Sequence, residues 1–329
     1  DVCNQTISEK AQNYTSPRLS KQMPDPLEIE ATADTLLASK TPMIWAGAGV
    51  LFSGSSDALK ELSQLTSIPV FCTMPGKSGF DERDPLSLGS GCGTTTQMAH
   101  EWLKYSDVIL ALGSSLTRSP YAQAIPQGKI LIQNTNNPDD INKDEPIQIN
   151  LVGDTKLTIE NLIRVIKKKT QNKGFGDLEK TASKIKVIKE SWLAKWHDSL
   201  HSDEEPISYY RVIQEINKNL DLENSIVTHD AGAPRDTIVP FFSATIPHSY
   251  IGWGKTTHLG FGIPLMIGAK MAQPEKFCLN LMGDGAFGMS GTDLETAVRS
   301  GAAITTVLLN NSAMATYSGP LQGTIGEEA

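Results

Sequence analysis

Gly283-Asp284-Gly285 is followed, after twenty-four residues, by Asn310-Asn311. A carboxylate and a carboxamide oxygen are hard donors that suit Mg²⁺. That ion takes few protein ligands and shares its other positions with phosphate and water. Glycines flanking the carboxylate let a backbone come close to a phosphate. A helix starting beyond such a turn directs free N–H groups at an anion. The chemistry on offer is the binding of a metal diphosphate.

For Asp284 and Asn311 to meet, the elements between them must return the chain to the same edge. Residues 276–282 form a short apolar run that stops at glycine, as a buried parallel strand does. Residues 292–300 have helical character, with Leu294, Ala297 and Val298 on one face. Residues 303–309 are a second, β-branched run. A strand–helix–strand unit of this size makes its two strands parallel. Both polar residues then lie at the carboxyl edge, where open α/β sheets bind ligands.

The pair resembles the signature of enzymes that use thiamine diphosphate. Two further segments strengthen the resemblance. Residues 227–232, Val-Thr-His-Asp-Ala-Gly, are similar to the first strand and turn of that family's diphosphate-binding (PP) domain. Residues 254–264, Gly-Lys-Thr-Thr-His-Leu-Gly-Phe-Gly-Ile-Pro, resemble its segment beneath the cofactor's pyrimidine. Within the family the acetohydroxyacid-synthase-like branch is most similar; it includes 2-oxoacid decarboxylases and carboligases. The strong match covers about residues 205–329, and residues 1–165 match more loosely.

The resemblance implies a set of roles. Asp284, the Asn311 side chain and the Ala313 carbonyl would bind Mg²⁺. Gly232, Ala233, Gly283, Gly285 and Ala286 would contact the diphosphate. Thr257 and Leu259 would lie under the cofactor, with Leu259 enforcing its folded shape. His229 and His258 fall in segments expected to line the cleft, where a histidine could relay protons or simply hold structure. Arg235 would hold a substrate carboxylate or an acid of its own chain. Met314 and Tyr317 would shape the substrate pocket. The substrate class is a 2-oxoacid such as pyruvate, and the outcome is carboligation, as in acetolactate synthase, or decarboxylation. A non-catalytic module that keeps only the fold is the contrasting expectation, and the intact metal ligands argue against it.

Upstream, apolar runs alternate with helical patterns. Helices are expected over 27–39, 57–65 and 100–104, and strands over 41–49, 68–73, 107–113 and 129–133. Such alternation predicts a doubly wound parallel sheet. The fold class is therefore α/β, with two Rossmann-like domains. Residues 1–27 read as a linker, 28–165 as the family's central domain, 166–204 as a linker helix, and 205–329 as the PP domain. By the resemblance, a pyrimidine-binding (PYR) domain with a catalytic glutamate would precede residue 1, and the PP domain would continue beyond residue 329. The chain alone is then expected to be inactive. The family's homodimers or homotetramers join PYR and PP domains of different subunits.

The family's flavin-containing members hold FAD with an Arg- and Asp-rich segment after the strand equivalent to 107–113. Here that segment is Gly113-Ser114-Ser115-Leu116-Thr117-Arg118-Ser119, and the acidic strand end is replaced by residues 132–138, Ile-Gln-Asn-Thr-Asn-Asn-Pro. Both departures weigh against FAD.

Composition sets the remaining bounds. Charged residues make up 20% of 329 and the net charge is −8, with no basic face, which argues against nucleic acid as a partner. Cys3, Cys72, Cys92 and Cys278 make no CxxC pair, so zinc or a disulfide framework is not expected. No run is long enough to span a membrane, and a reducing cytoplasm is the expected compartment.

Overall fold

The structure is a computed structural model and describes residues 5–9, 13–17, 20–252 and 258–312. Its first half is built on six short strands, β1 (Met43–Ala46), β2 (Val70–Thr73), β3 (Ser87–Gly91), β4 (Val108–Leu112), β5 (Ile130–Thr135) and β6 (Ile149–Val152). Of these, β1, β2 and β4 are apolar and almost wholly buried. The six form one sheet in the order β3-β2-β1-β4-β5-β6, and every pairing is parallel. The order reverses between β1 and β4, which makes that gap the switch point.

Six helices flank this sheet: α1 (Pro26–Ala38), α2 (Ala48–Phe52), α3 (Ser56–Thr66), α4 (Gln97–Tyr105), α5 (Thr155–Lys169) and α6 (Leu178–Leu200). Because strand side chains alternate, β1 feeds two cores. Ile44 and Ala46 pack with Leu36 of α1, Leu62 of α3 and Leu162 of α5. Met43 and Trp45 pack on the other side with Trp102 of α4 and with Ile185 and Trp192 of α6. The expected doubly wound fold is present. The lysine-rich stretch 178–200 is more than a linker, since one stripe of it covers a sheet face.

Helix starts follow local capping. Asp25, Asp154 and Asp177 accept backbone N–H bonds from Leu27, Leu157 and Lys180 at the heads of α1, α5 and α6. Such a cap contributes about 1 kcal/mol. Asp107 closes the other end of the sheet. Its carboxylate accepts from the Ser39 hydroxyl and from the Lys40 and Thr41 amides, which ties the end of α1 to the start of β4.

The second half repeats the architecture. β7 (Ser225–His229), β8 (Phe277–Gly283) and β9 (Thr305–Leu309) pair in parallel in the order β7-β8-β9. Around them lie α7 (Tyr209–Asn219), α8 (Ala233–Phe241), α9 (Gly262–Ala272), α10 (Asp284–Ser290) and α11 (Asp293–Arg299). Ile213 of α7 and Ile238 of α8 cover one face with Leu279 and Leu281. Ile263 and Ile267 of α9 cover the other with Met282. The helical stretch after residue 283 differs from expectation in two ways: it starts at Asp284 and is broken into α10 and α11, and Val298 points to solvent, 83% exposed.

The halves meet along the segment 74–94. Met74 and Cys92 enter the core of the second half, beside Phe242 and Tyr250. The Glu82 amide donates to the Ala244 carbonyl (3.1 Å), and a Glu82 carboxylate oxygen accepts from the Ala244 amide (2.9 Å). The same carboxylate takes both of its oxygens to Lys77 Nζ (2.6 Å each) and accepts from the Ser90 hydroxyl. Trp192 of α6 stacks on Phe241 of α8, ring centroids 4.9 Å apart.

Candidate functional site

The carboxyl ends of β7, β8 and β9 set the site. Gly283 is paired with Leu309 in the parallel register, so Asp284 and Asn311 leave adjacent strands just beyond a paired position. Asp284 is the first residue of α10 and is partly exposed. Asn311 is exposed and follows Asn310, whose side-chain oxygen accepts from the Ser312 amide (3.0 Å). Burial, and then the nearby Asp284 carboxylate, push the phenol of Tyr209, the first residue of α7, above its usual range.

β7 contributes the third piece. Its end runs into Gly232, which has φ +84 and caps α8, with Ala233 as the first helical residue. A Cβ at that φ would be strained, which accounts for the glycine. The first amides of a helix have no intrahelical acceptor, so the head of α8 offers donors at the same sheet edge as Asp284. Arg235, in this first turn, is almost fully buried and pairs with the adjacent Asp236 (2.6 Å), while its guanidinium lies over the Tyr121 ring. Of the two expectations for Arg235, the structure favours the acid of its own chain.

His229 ends β7 and is fully buried. Its Nδ1 meets the Asp230 carbonyl at 3.1 Å, and its Nε2 has no hydrogen-bond partner among the described residues. The Tyr250 ring lies parallel to it and the Phe261 ring edge-on, each with centroids 5.8 Å away. Burial is the main cause that brings its pKa down to about 4; the Arg235 charge adds to this and the Asp230 carbonyl opposes it. The imidazole is therefore neutral at pH 7. His258 is exposed at the start of the loop before α9. Leu259 is half-buried and packs against the cluster of Ile263, Ile267, Met282 and Ala286. Ala286 is buried on α10, and Gly285 precedes it. Thr257, Ala313, Met314 and Tyr317 lie outside the described residues. Along this face Met289 is 59% exposed, and Leu259, Phe261 and Phe287 are half-buried.

Asp230 was not singled out from the sequence. It is fully buried, and its two oxygens accept three backbone N–H bonds, from Ala231 (2.8 Å), Gly260 (3.0 Å) and Gly262 (3.0 Å). The available signal was a carboxylate set between an apolar strand and a glycine turn, a position where an exposed loop acid would be equally at home. Among the described residues, no three His, Cys, Asp or Glu side chains gather as a metal cluster, so any metal here would rest on mixed carboxylate and amide donors.

At the switch point of the central sheet lies a cleft of about 1270 Å³, lined among others by Phe52, Cys92, Leu116, Tyr121 and Asn136. Its described cationic lining residues are committed within the chain. Lys21 pairs with Asp154 (3.2 Å) and Arg118 with Glu145 (2.7 Å). The Gly49 amide, in the first turn of α2, donates to the Gly113 carbonyl (2.9 Å). The Asn134 side chain, at the end of β5, is spent on Gly113, Leu151, Gly153 and Thr158.

With this geometry in place, comparison with known families is decisive for class. The profile of the thiamine pyrophosphate enzyme central domain matches residues 29–162, and that of the C-terminal TPP-binding domain matches residues 230–327. The chain belongs to the thiamine pyrophosphate (thiamine diphosphate) enzymes and carries these two domains in that order. A probable acetolactate synthase large subunit from Methanocaldococcus jannaschii is 30% identical over 291 residues, which is 84% of this chain and 46% of that protein. The acetolactate synthase isozyme 3 large subunit of Escherichia coli is 26% identical over 86% of this chain and 49% of its own length. The mitochondrial acetolactate synthase catalytic subunit of Saccharomyces cerevisiae is 30% identical over 86% of this chain and 42% of its own length. The chain thus spans about half the length of these curated relatives. Among the described residues, no helix is long and apolar enough to cross a membrane.

Proposed function

We propose that the intact protein is a thiamine diphosphate- and Mg²⁺-dependent enzyme that forms or breaks the C–C bond beside the carbonyl of a 2-oxoacid, acetolactate synthase-like. One observation carries this reading: the Gly232 turn, Asp284 and Asn311 leave adjacent parallel strands at one carboxyl edge. The residues present fit the cofactor. Asp284 and Asn311 offer the hard oxygens that Mg²⁺ accepts, and the turn at Gly232, with its positive φ, leads directly into the head of α8. Thiamine diphosphate, when bound, supplies the electron sink that 2-oxoacid chemistry needs.

The chain's own residues do the binding and orienting. Asp284 and the Asn311 side chain, with the Ala313 carbonyl, would hold the cation. Gly232, Ala233, Gly285 and Ala286 would contact the diphosphate. Leu259, anchored on the α9 side of the core, would support the rings, a part the resemblance also gives to Thr257. His229 is enclosed and neutral, so its role is to brace the end of β7, whereas His258, which is exposed, would exchange a proton with the substrate. The subunit would work as a homodimer or homotetramer.

The test follows loss of pyruvate and a small panel of other 2-oxoacids by the intact protein, with and without thiamine diphosphate and Mg²⁺. Consumption that requires both supports the reading, and consumption independent of thiamine diphosphate ends it. Product analysis separates acetolactate-type ligation from simple decarboxylation.

A further inference from the structure

Two separate segments are expected to hold the two ends of the cofactor: the turn at Gly232 for the diphosphate and the loop at Leu259 for the rings. They are 27 residues apart in sequence, and something must set the distance between them. We infer that Asp230 is a positioning residue that does so, and this rests on the cofactor reading above.

The observations are local and mutually consistent. Asp230 Oδ1 accepts from the Ala231 amide, inside the turn, and from the Gly260 amide, inside the loop (2.8 and 3.0 Å). Oδ2 accepts from the Gly262 amide (3.0 Å), at the start of α9. One carboxylate therefore bridges both segments. Its own backbone is fixed as well, because the Asp230 amide donates to the Leu281 carbonyl of β8 (2.7 Å). Between the two bonded glycines, the Phe261 ring sits edge-on to the His229 ring. Three consecutive loop residues are thus held by two consecutive strand-end residues.

The glycines explain why the loop can come so close. Gly260 has φ +87, a conformation that a side chain resists. A Cβ on Gly262 would lie 2.3 Å from the Asn280 side-chain oxygen. The Asp230 carboxylate is fully buried, yet none of its described acceptor bonds comes from a cationic side chain. Among the described residues, backbone amides alone satisfy it. That arrangement suits a staple between main-chain segments and needs no mobile partner. Asparagine has nearly the same shape but offers one acceptor oxygen, and its NH₂ would oppose an amide N–H. Asp230→Asn is therefore a minimal cut of the staple.

The experiment has two arms on the intact protein. In the first, amide hydrogen exchange is measured without cofactor. In the wild type, the Gly260 and Gly262 amides should be protected to the same degree as β7 amides, and in Asp230→Asn they should exchange at least about tenfold faster, as loss of a charge-assisted bond implies. In the second arm, the dissociation constant for thiamine diphosphate at saturating Mg²⁺ should rise about tenfold or more in the variant. The KM for the 2-oxoacid should stay unchanged once the cofactor saturates. A purely structural role would not give that split.

Unprotected Gly260 and Gly262 amides in the wild type overturn the staple, and that measurement needs no variant to fold. Faster exchange in the variant with cofactor affinity within twofold of wild type overturns the positioning role. A wild-type protein with protected amides that binds no thiamine diphosphate overturns the cofactor reading, and the positioning role falls with it.

Discussion

His229 makes acid stability a direct test of how the second domain is built. In the folded chain its ring is enclosed by Tyr250 and Phe261, and burial brings its pKa from the ordinary 6.5 to about 4. Between those values the unfolded chain binds a proton that the folded chain refuses. Folding stability therefore falls as pH drops through this window and is fully present above about 6.5. The difference of about 2.5 pH units, at about 1.36 kcal/mol each, gives a loss on the order of 3 kcal/mol by pH 4. Other acids titrate in the same range, so the informative quantity is the difference from His229→Gln, which keeps a polar group toward the Asp230 carbonyl but cannot take up the proton. Urea melts of both proteins at pH 7, 5.5 and 4 give that difference. The variant should be less stable than wild type at pH 7 and should lose less on acidification, so that the gap narrows. Parallel pH profiles for the two proteins would refute the enclosed, neutral imidazole.

Three further outcomes are expected. In the intact protein, Asp284→Ala removes the charged donor of the proposed cation site, so retention of thiamine diphosphate with Mg²⁺ should fall by more than about tenfold; equilibrium dialysis showing affinity within a few-fold of wild type would count against the site. Glu82→Ala leaves the fully buried Lys77 ammonium unpaired and should destabilise the chain by about 3–5 kcal/mol, whereas Lys77→Met with Glu82→Leu should recover most of that loss in urea melts. For Asp107, burial alone pushes the carboxyl up, but the Ser39 hydroxyl and the Lys40 and Thr41 amides outweigh it and hold it at about 2, below the ordinary 3.8. Its contribution is present above 3.8 and is lost as pH falls through about 2. Asp107→Asn should therefore flatten the stability loss in that acid range.

What could be read from residues alone depended on how strongly each segment was patterned. β4 and β8 were legible because continuous apolar runs stop at glycine, whereas α6 occupies only Leu178–Leu200 of the linker helix expected over 166–204. β3 was missed because Ser-Leu-Gly-Ser-Gly has little β-propensity; it is a strand because β2 offers it an edge, with a register shift on the way. α5 was missed because its last turn is Lys167-Lys168-Lys169, which reads as a solvated charge run, and it crosses the domain boundary expected at residue 165. The spacing of Asp284 and Asn311 was enough to put both at one sheet edge, since a parallel crossover leaves few alternatives. Asp230 was invisible, because its partners are backbone amides, and a main chain carries no residue code.

The seam at Glu82 has a consequence for how the chain comes off the ribosome. Lys77, Glu82 and Ser90 are complete as a group before Ala244 has been made. Until then the ion pair can stay wet on the flank of a finished central sheet. When the later half arrives, the Ala244 amide replaces water on the carboxylate, and Phe242 and Tyr250 close over Met74 and Cys92. The dependence runs both ways: before closure Met74, Cys92 and Trp192 of the earlier half are uncovered, and so are Phe241, Phe242 and Tyr250 of the later half. A gene split between the two should therefore give two products that are each more stable together than apart.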